Sequence, residues 1–395
     1  MRRSFITRAV LILSIVSLFT DIASEMLYPV MPVYLKSIGF SVLFIGILEG
    51  IAEATAGLSK GYFGNLSDKQ RKRAPFIISG YGLSALSKPL IVAFTYPVWV
   101  FFARTLDRLG KGIRTGARDA MLSDESSIEN KAKVFGFHRA MDTLGAAVGP
   151  ALALIYLYFY PQNYKTLFLI AFLPGLVALL LSLLIKDRKQ KNDKNDDNTK
   201  VAAIKFFSYF SYWKKANREY KILITGLFAF ALINSSDVFL LLGLKHFGYS
   251  DSSMIAFYIY YNLVYALFSY PAGYLADKMG LRNVLIAGYI MFTVVYLFFA
   301  FANNFYLILL LFCIYGVYAA STEGISKALI TNISKKEETA TAIGFYTSFA
   351  SIFSLISSSL AGLIWFTLGP LYTFLFSGIA GIITVLYFII AFKRK

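Results

Sequence analysis

"GNLSDKQRKR" (64–73) and "GYLADKMGLR" (273–282) are two copies of one pattern, separated by 273 − 64 = 209 residues. The same offset aligns "YLKSIGFS" (34–41) with "GLKHFGYS" (243–250). An offset of 208 aligns "KVFGFHRAM" (133–141) with "TAIGFYTSF" (341–349), placing Gly136 on Gly344. Three matches at nearly one spacing mark an internal duplication.

The duplicated unit is apolar. Of 395 residues, 57% are hydrophobic and 17% aromatic, more than a soluble domain can cover. Runs long enough to cross a bilayer recur throughout. They read as twelve spans, at 10–35, 42–65, 75–95, 98–122, 133–157, 165–185, 221–244, 252–275, 283–303, 305–330, 339–366 and 369–392. The main interruption is the charged "KDRKQKNDKNDDNTK" (186–200), followed by "FFSYFSYWKKANREYK" (206–221), whose aromatic and basic residues suit a helix at the membrane surface. The expected organisation is a six-helix bundle over 1–185, a cytoplasmic linker over 186–220 and a second bundle over 221–395. Six is even, so both repeats run in the same direction. The expected fold is an all-α membrane protein, with twelve transmembrane helices in two parallel six-helix repeats around a central cavity.

A net charge of +17 raises the question of nucleic acid, and its placement answers it. Counting a residue that opens a span with the loop before it, 27 of the 39 Lys and Arg fall in the amino terminus, the even-numbered loops and the carboxyl terminus, and only Lys36, Lys165 and Lys245 fall in odd-numbered loops. This asymmetry is the positive-inside pattern and puts both termini in the cytoplasm of a multi-pass protein of the plasma (inner) membrane. No nucleic-acid partner is expected. The start, "MRRSFITRAVLILSIVSLF", is read as an uncleaved first span, because the run continues past Asp21 without a small-residue cleavage site. Cys313 is the only cysteine, and His138 and His246 are the only histidines. No zinc-type cluster or Ser-His pairing is seen, "GKGIRTG" lacks P-loop spacing, and neither a cofactor, a metal nor an enzyme activity is expected.

The duplicated loop and the six-plus-six layout resemble the major facilitator superfamily, whose hallmark loop between spans two and three reads G-x-L-[AS]-D-[KR]-x-G-R-[KR]. Gly64, Leu66, Asp68, Lys69, Arg71 and Lys72 carry the first copy, with Gln70 and Arg71 departing from the Gly-Arg spacing. Gly273, Leu275, Asp277, Lys278, Gly280 and Arg282 carry the second. In that family the loop links the halves and gates alternating access, so the resemblance makes Gly64, Asp68, Arg71, Gly273, Asp277 and Arg282 gating-loop residues. Three further motifs resemble its proton-coupled, twelve-span drug-exporter branch. Pro29 and Pro32 in "YPVMP" match a proline motif. Ala103, Arg104, Leu106, Gly110 and Gly112 match A-R-x-L-x-x-x-G-x-G, whose arginine is implicated in proton coupling. Gly145, Gly149 and Pro150 match the antiporter motif, with Leu152 and Ala153 in place of its later glycine pair. Arg108 stands where relatives have a small residue.

Ionisable side chains in a bilayer are costly, on the order of 3 kcal/mol each at its centre, and by default mark a site. At about 1.5 Å per helical residue, Asp21, Glu53, Arg108 and Asp142 come out near mid-depth. Helical spacing groups Asp21, Glu25 and Tyr28 on span one, Glu49, Glu53 and Lys60 on span two, Arg104, Arg108 and Lys111 on span four, and His138 and Asp142 on span five. At the repeat offset the span-two stripe becomes Tyr258, Asn262, Tyr265 and Ser269, neutral and aromatic. Asp237 is the second half's main deep charge, and Tyr346 faces the same region. The proton-coupling candidates are Asp21, Glu53, Arg104 and Asp142. The substrate candidates are Glu25, Glu49, Arg108, Lys111, His138, Asp237, Tyr258, Asn262, Tyr265 and Tyr346. Arg118, Asp119, Glu323 and Lys327, near cytoplasmic span ends, are read as snorkelling or pairing locally, and Lys88 as snorkelling to the outer surface.

These features lead to a monomeric secondary transporter, its partners being protons, a small-molecule substrate and the bilayer. The reading is a proton-coupled exporter of a charged or amphipathic molecule, such as a carboxylate metabolite, a siderophore or a drug. An uptake symporter of an organic anion and a non-transporting membrane sensor are the alternatives.

Overall fold

A computed structural model describes residues 6–28, 30–187 and 206–393. Among them are fifteen α-helices: α1 (Arg8–Glu25), α2 (Met31–Ser37), α3 (Val42–Gln70), α4 (Ala74–Ala93), α5 (Pro97–Asp124), α6 (Lys131–Phe159), α7 (Tyr164–Ser182), α8 (Tyr212–Lys215), α9 (Arg218–Ala231), α10 (Val238–His246), α11 (Asp251–Met279), α12 (Leu281–Phe299), α13 (Phe305–Ile333), α14 (Thr339–Leu368) and α15 (Pro370–Lys393). Seven of them, α4, α6, α7 and α12 to α15, are long and apolar enough to cross a membrane unaided. Three more, α3, α5 and α11, are 28 or 29 residues long but more polar. The last two spans are broken pairs, α1 with α2 and α9 with α10. The total is twelve spans in two halves of six.

The internal repeat is visible in the backbone. Gly39 (φ 97°) and Gly248 (φ 89°) both turn through the left-handed region, which only glycine enters at no steric cost. Two residues on, Ser41 caps α3 by accepting from Phe44 N, and Ser250 caps α11 by accepting from Ser253 N, each at 3.2 Å. At the other end of these helices, Arg71 (φ 51°) closes α3 where Gly280 (φ 95°) closes α11. The departure from the loop pattern is thus a non-glycine residue held in a glycine conformation.

Both breaks fall at corresponding places. The chain leaves the helix between Glu25 and Met31, and between Ala231 and Val238. At the repeat offset of 209 the first gap falls on 235–239, overlapping the second. Pro32 stands in the first turn of α2, where its missing N–H costs nothing; Pro29 lies outside the described residues. In the second gap the run Asn234, Ser235, Ser236, Asp237 draws backbone donors off the helix. Ser236 N donates to Ser358 Oγ at 3.1 Å, and Val238 N to Ser236 Oγ at 3.4 Å.

The halves meet along two crossings that are copies of each other, α3 with α14 and α6 with α11. Backbone meets backbone there. A Cβ added to Gly344 would lie 2.6 Å from Lys60 O, and one on Gly136 would lie 2.5 Å from Ser269 O. Both contacts lie toward the end of the molecule that carries the loop at 71–73. The halves are therefore closed at that basic end.

Candidate functional site

At the closed end the two repeat-loop aspartates hold the opposite half. Asp68 accepts from Thr341 N and Thr341 Oγ, both at 2.6 Å, and from Ala340 N at 3.3 Å, at the start of α14. Asp277 accepts from Ala132 N at 3.1 Å and Lys133 N at 3.0 Å, at the start of α6. A carboxylate there meets unpaired N–H groups and the positive end of the helix dipole. The structure puts each cap across the interface, so it is broken when the halves part. Arg73 also pairs with Asp68 at 2.5 Å. Arg282 instead lies over the Phe392 ring at 4.9 Å.

Deeper in, charged residues of the two halves are tied together. Arg139 on α6 pairs with Asp142 at 2.6 Å and with Glu323 of α13 at 2.5 Å, and donates to Tyr265 Oη of α11 at 2.6 Å. Lys327 of α13 pairs at 2.7 Å with Asp119 of α5, which is 0% exposed. Asp119 also holds Arg118 at 2.9 Å, and Arg118 reaches Asp142 at 3.9 Å. Ser17 Oγ donates to Asp142, and the Asp21 carboxyl faces that of Asp142. His138 is buried on the same helix face, 3.5 Å from Ser14 Oγ. Asp119, Glu323 and Lys327 do not snorkel or pair only locally; they bridge the halves. Arg139 was missed by the sequence reading, although its position three residues before Asp142 was a signal.

Toward the opposite end the halves enclose an opening. Glu53 pairs with Arg108 at 3.2 Å yet leaves 55% of its side chain open to solvent. Tyr28 is 47% exposed although it feels the charges of Glu25, Arg108 and Glu53 from one half and Asp237 from the other. A lipid-facing residue would not be ringed by charge from both halves, so this exposure is to a cavity. Lys111 is exposed, acts electrostatically on Asp21, Glu25, Glu53 and Lys60, and forms no ion pair among the described residues. Glu25 accepts from Tyr258 Oη of the second half at 3.3 Å. Asp237 accepts from Tyr261 Oη at 2.5 Å and Tyr315 Oη at 2.6 Å. Asn262 is buried and donates to Tyr258 O at 2.9 Å. Tyr346 stacks on Phe228 at 6.1 Å. The side chain of Glu49 lies outside the described residues.

Twelve spans, two parallel six-helix halves and a polar cavity between them set the context for comparison with known proteins. The sequence profile of the Major Facilitator Superfamily matches residues 13–261 and 241–395. The chain is 33% identical over 385 residues to an uncharacterized MFS-type transporter of Methanocaldococcus jannaschii, covering 96% of this chain and 94% of that one. The chain belongs to the Major Facilitator Superfamily. An uncharacterized MFS-type transporter of Bacillus subtilis is 28% identical over 173 residues, 43% of this chain and 41% of its own. Among solved structures, the human organic anion transporter MFSD10 (TETRAN) superposes with a TM-score of 0.78 at 15% identity, over 96% of this chain and 99% of its own. The Escherichia coli fucose:proton symporter FucP superposes at 0.75 and 13%, over 98% and 99%. These likenesses are of fold, and the protein is a membrane transporter.

Within this MFS transporter, one buried cluster departs from the sequence reading. Lys88 does not snorkel; it is 2% exposed. Its Nζ donates to Ser84 O at 2.8 Å and pairs with Asp107 of α5 at 3.5 Å. Arg104 shares that carboxylate at 3.4 Å, and Ser87 Oγ donates to it at 3.2 Å. The dense charge of span four is thereby divided: Arg104 and Asp107 point into their own half, Arg108 and Lys111 toward the cavity, Arg118 toward Ser17 and Asp142 of its own half, and Asp119 toward Lys327 of the other. Arg114 lies over the Tyr81 ring at 4.6 Å and donates to Ser84 Oγ at 3.0 Å.

Proposed function

We propose that this MFS transporter is a proton-coupled exporter of small molecules bearing an anionic group. It works by alternating access in the inner membrane, with both termini in the cytoplasm, in the manner of the twelve-span drug-exporter branch. The observation that carries the anionic class is Lys111, an exposed cation beside the Arg108–Glu53 pair that forms no ion pair among the described residues. A mid-depth cation that carboxylates influence only from a distance gains from a ligand that supplies a direct counter-charge. Arg108 adds a guanidinium whose planar fork matches a carboxylate.

Coupling is assigned to Asp21. Its carboxyl faces that of Asp142, so a proton can pass between the two. Asp142 is itself held by Arg139 and Arg118, the side chains that tie the halves together. A substrate anion that draws Arg108 away from Glu53 changes the field at Asp21. Parting of the halves breaks Arg139–Glu323 and changes it again. Proton release and the turn of the transporter are joined through these cations.

The test is proton flux in proteoliposomes on addition of organic anions. A productive anion is expected to move protons with wild type. Asp21→Asn should still bind it but move none, and Lys111→Gln should bind it roughly tenfold more weakly, in keeping with the loss of one charge-assisted contact. Full coupling in Asp21→Asn would transfer the role to another carboxylate. Transport of cations alone, indifferent to Lys111→Gln, would refute the anionic class.

A further inference from the structure

The segment leading into the second half is fitted to the seam between the halves. Residues 208–211 form a short 3-10 turn that leads into α8. Phe206 stacks on Tyr62 of α3, rings 5.0 Å apart and 28° from parallel. Tyr209 is 0% exposed, and its ring fills the space a Cβ on Gly61 of α3 would need. Phe210 packs on Phe349 of α14 at 5.1 Å, and Trp213 stacks on Phe345 of α14 at 6.0 Å. One short stretch thus grips both helices of the α3–α14 crossing. Gly61 N donates to Ser348 Oγ there at 2.9 Å, and Ser348 Oγ donates to Gly57 O at 2.6 Å.

The segment is also graded in depth. Gly61 lies nine residues before Gln70, the end of α3, or about 13 Å in from it. Tyr209 therefore sits at the level of the acyl chains, with Phe206, Phe207 and Phe210 exposed around it. Tyr212 and Lys215 reach the end face, where they line a cavity with Asp68, Lys69, Glu337 and Glu338. Lys214 and Lys215 are exposed there. Aromatic rings at acyl depth with lysines at the headgroups are the arrangement of an interfacial anchor.

We propose that residues 206–215 are a clamp anchored in anionic lipid, which holds the α3–α14 seam shut, and that the bilayer's anionic headgroups are its partner through Lys214 and Lys215. When α3 and α14 separate, Tyr209 loses the wall that Gly61 provides and the clamp must shift outward. Anionic headgroups that hold the lysines oppose that shift, so the lipid composition sets the balance between closed and open.

The test uses the purified full chain, carrying Cys313→Ser, with spin labels at Lys72 and Lys336, one on each half at the closed end. Distances are measured by pulsed electron resonance in nanodiscs of phosphatidylcholine, alone or mixed with phosphatidylglycerol. The closed-to-open ratio should rise with phosphatidylglycerol, by up to about fivefold per lysine engaged. Lys214→Gln with Lys215→Gln should remove that response and leave the fold intact. Tyr209→Ala should lower the closed fraction in both lipids. Gly61→Ala, which crowds the ring from its seat, should do the same should Tyr209→Ala fail to fold. Identical distance distributions in the two lipids overturn the proposal, as does a lipid response undiminished in the double lysine variant. Closed fractions unchanged in Tyr209→Ala and Gly61→Ala also overturn it. No substrate is added, so an error in the assigned substrate or coupling ion leaves this result unaffected.

Discussion

Asp107 shows how a single buried carboxylate organises span four. It balances Lys88 and Arg104 within a few ångströms, so removing it leaves buried Lys88 without its carboxylate, whereas removing Lys88 leaves it Arg104. Asp107→Leu alone should therefore cost about 3–5 kcal/mol, Lys88→Met less, and the double variant should recover much of the Asp107→Leu loss; thermal unfolding in detergent measures all three. A double variant no more stable than Asp107→Leu would mean that Arg104, not Lys88, dominates the site. This pairing was hidden from the sequence because spacing along a helix gives depth and face but not the partner on the next helix. Lys88 lies near an outer end by count, and only the packing of α4 on α5 turns it inward. Arg71 is the opposite case, where the sequence pointed straight at the structure. The loop pattern wants glycine at that position, and the backbone there is left-handed. Arg71→Gly should relieve about 1 kcal/mol of backbone strain and raise the unfolding temperature, whereas Gly280→Arg in the other copy should lower it.

The helices themselves were legible because their signals are local. Ser41 and Ser250 cap, Gly39 and Gly248 turn, and apolar runs fix the lengths of the spans between. The breaks were less visible: in span seven a run of small polar residues between apolar ones also reads as helix, and in span one the gap at 26–30 is itself largely apolar. They matter because unwound backbone in both repeats flanks the cavity, with Tyr28 in one gap and Asp237 at the edge of the other, where transporter folds place their ligands. The crossings lie between these two extremes. Gly136 was legible as half of a repeat, but not as the point where α6 touches α11. Because a Cβ there would meet Ser269 O at 2.5 Å, Gly136→Val should push the helices apart at the closed end. The expected outcome is a larger open population, read as faster labelling of a cysteine placed at Thr341, beside the Asp68 cap. Unchanged labelling would show that the crossing can absorb the methyl groups by sliding.

For the molecule as a whole, what matters is that ion pairs join the halves, Asp119 with Lys327 and Arg139 with Glu323, and that both are tied to the charge network within the first half. The duplication made two halves legible, and it puts Asp119 and Lys327 at equivalent positions of spans four and ten, 208 residues apart; that these two positions pair with each other was not legible, because a repeat gives correspondence and not contact. Their pairing at 2.7 Å, with Asp119 also holding Arg118, exists only while the closed end is shut. Opening it leaves Asp119 with one cation in place of two, and leaves Arg139 with Asp142 but not Glu323. The closed state is thus held by ion pairs whose loss costs more in low dielectric than at a surface. Lys327→Gln and Asp119→Asn should each favour opening, and Asp119→Asn should do more, since it also strands Arg118. Combined, they should fall short of the sum of their separate effects by about 1–3 kcal/mol, the coupling of residues in one network. The measurement is a double-mutant cycle on the closed-to-open ratio from distances between labels at Lys72 and Lys336. Strict additivity would mean that the Asp119–Lys327 contact follows closure without holding it, and the burden would fall on the Asp68 and Asp277 caps. Coupling at the stated size would place the proton-bearing residues and the gate in one circuit, since Arg118 touches both Asp119 and Asp142.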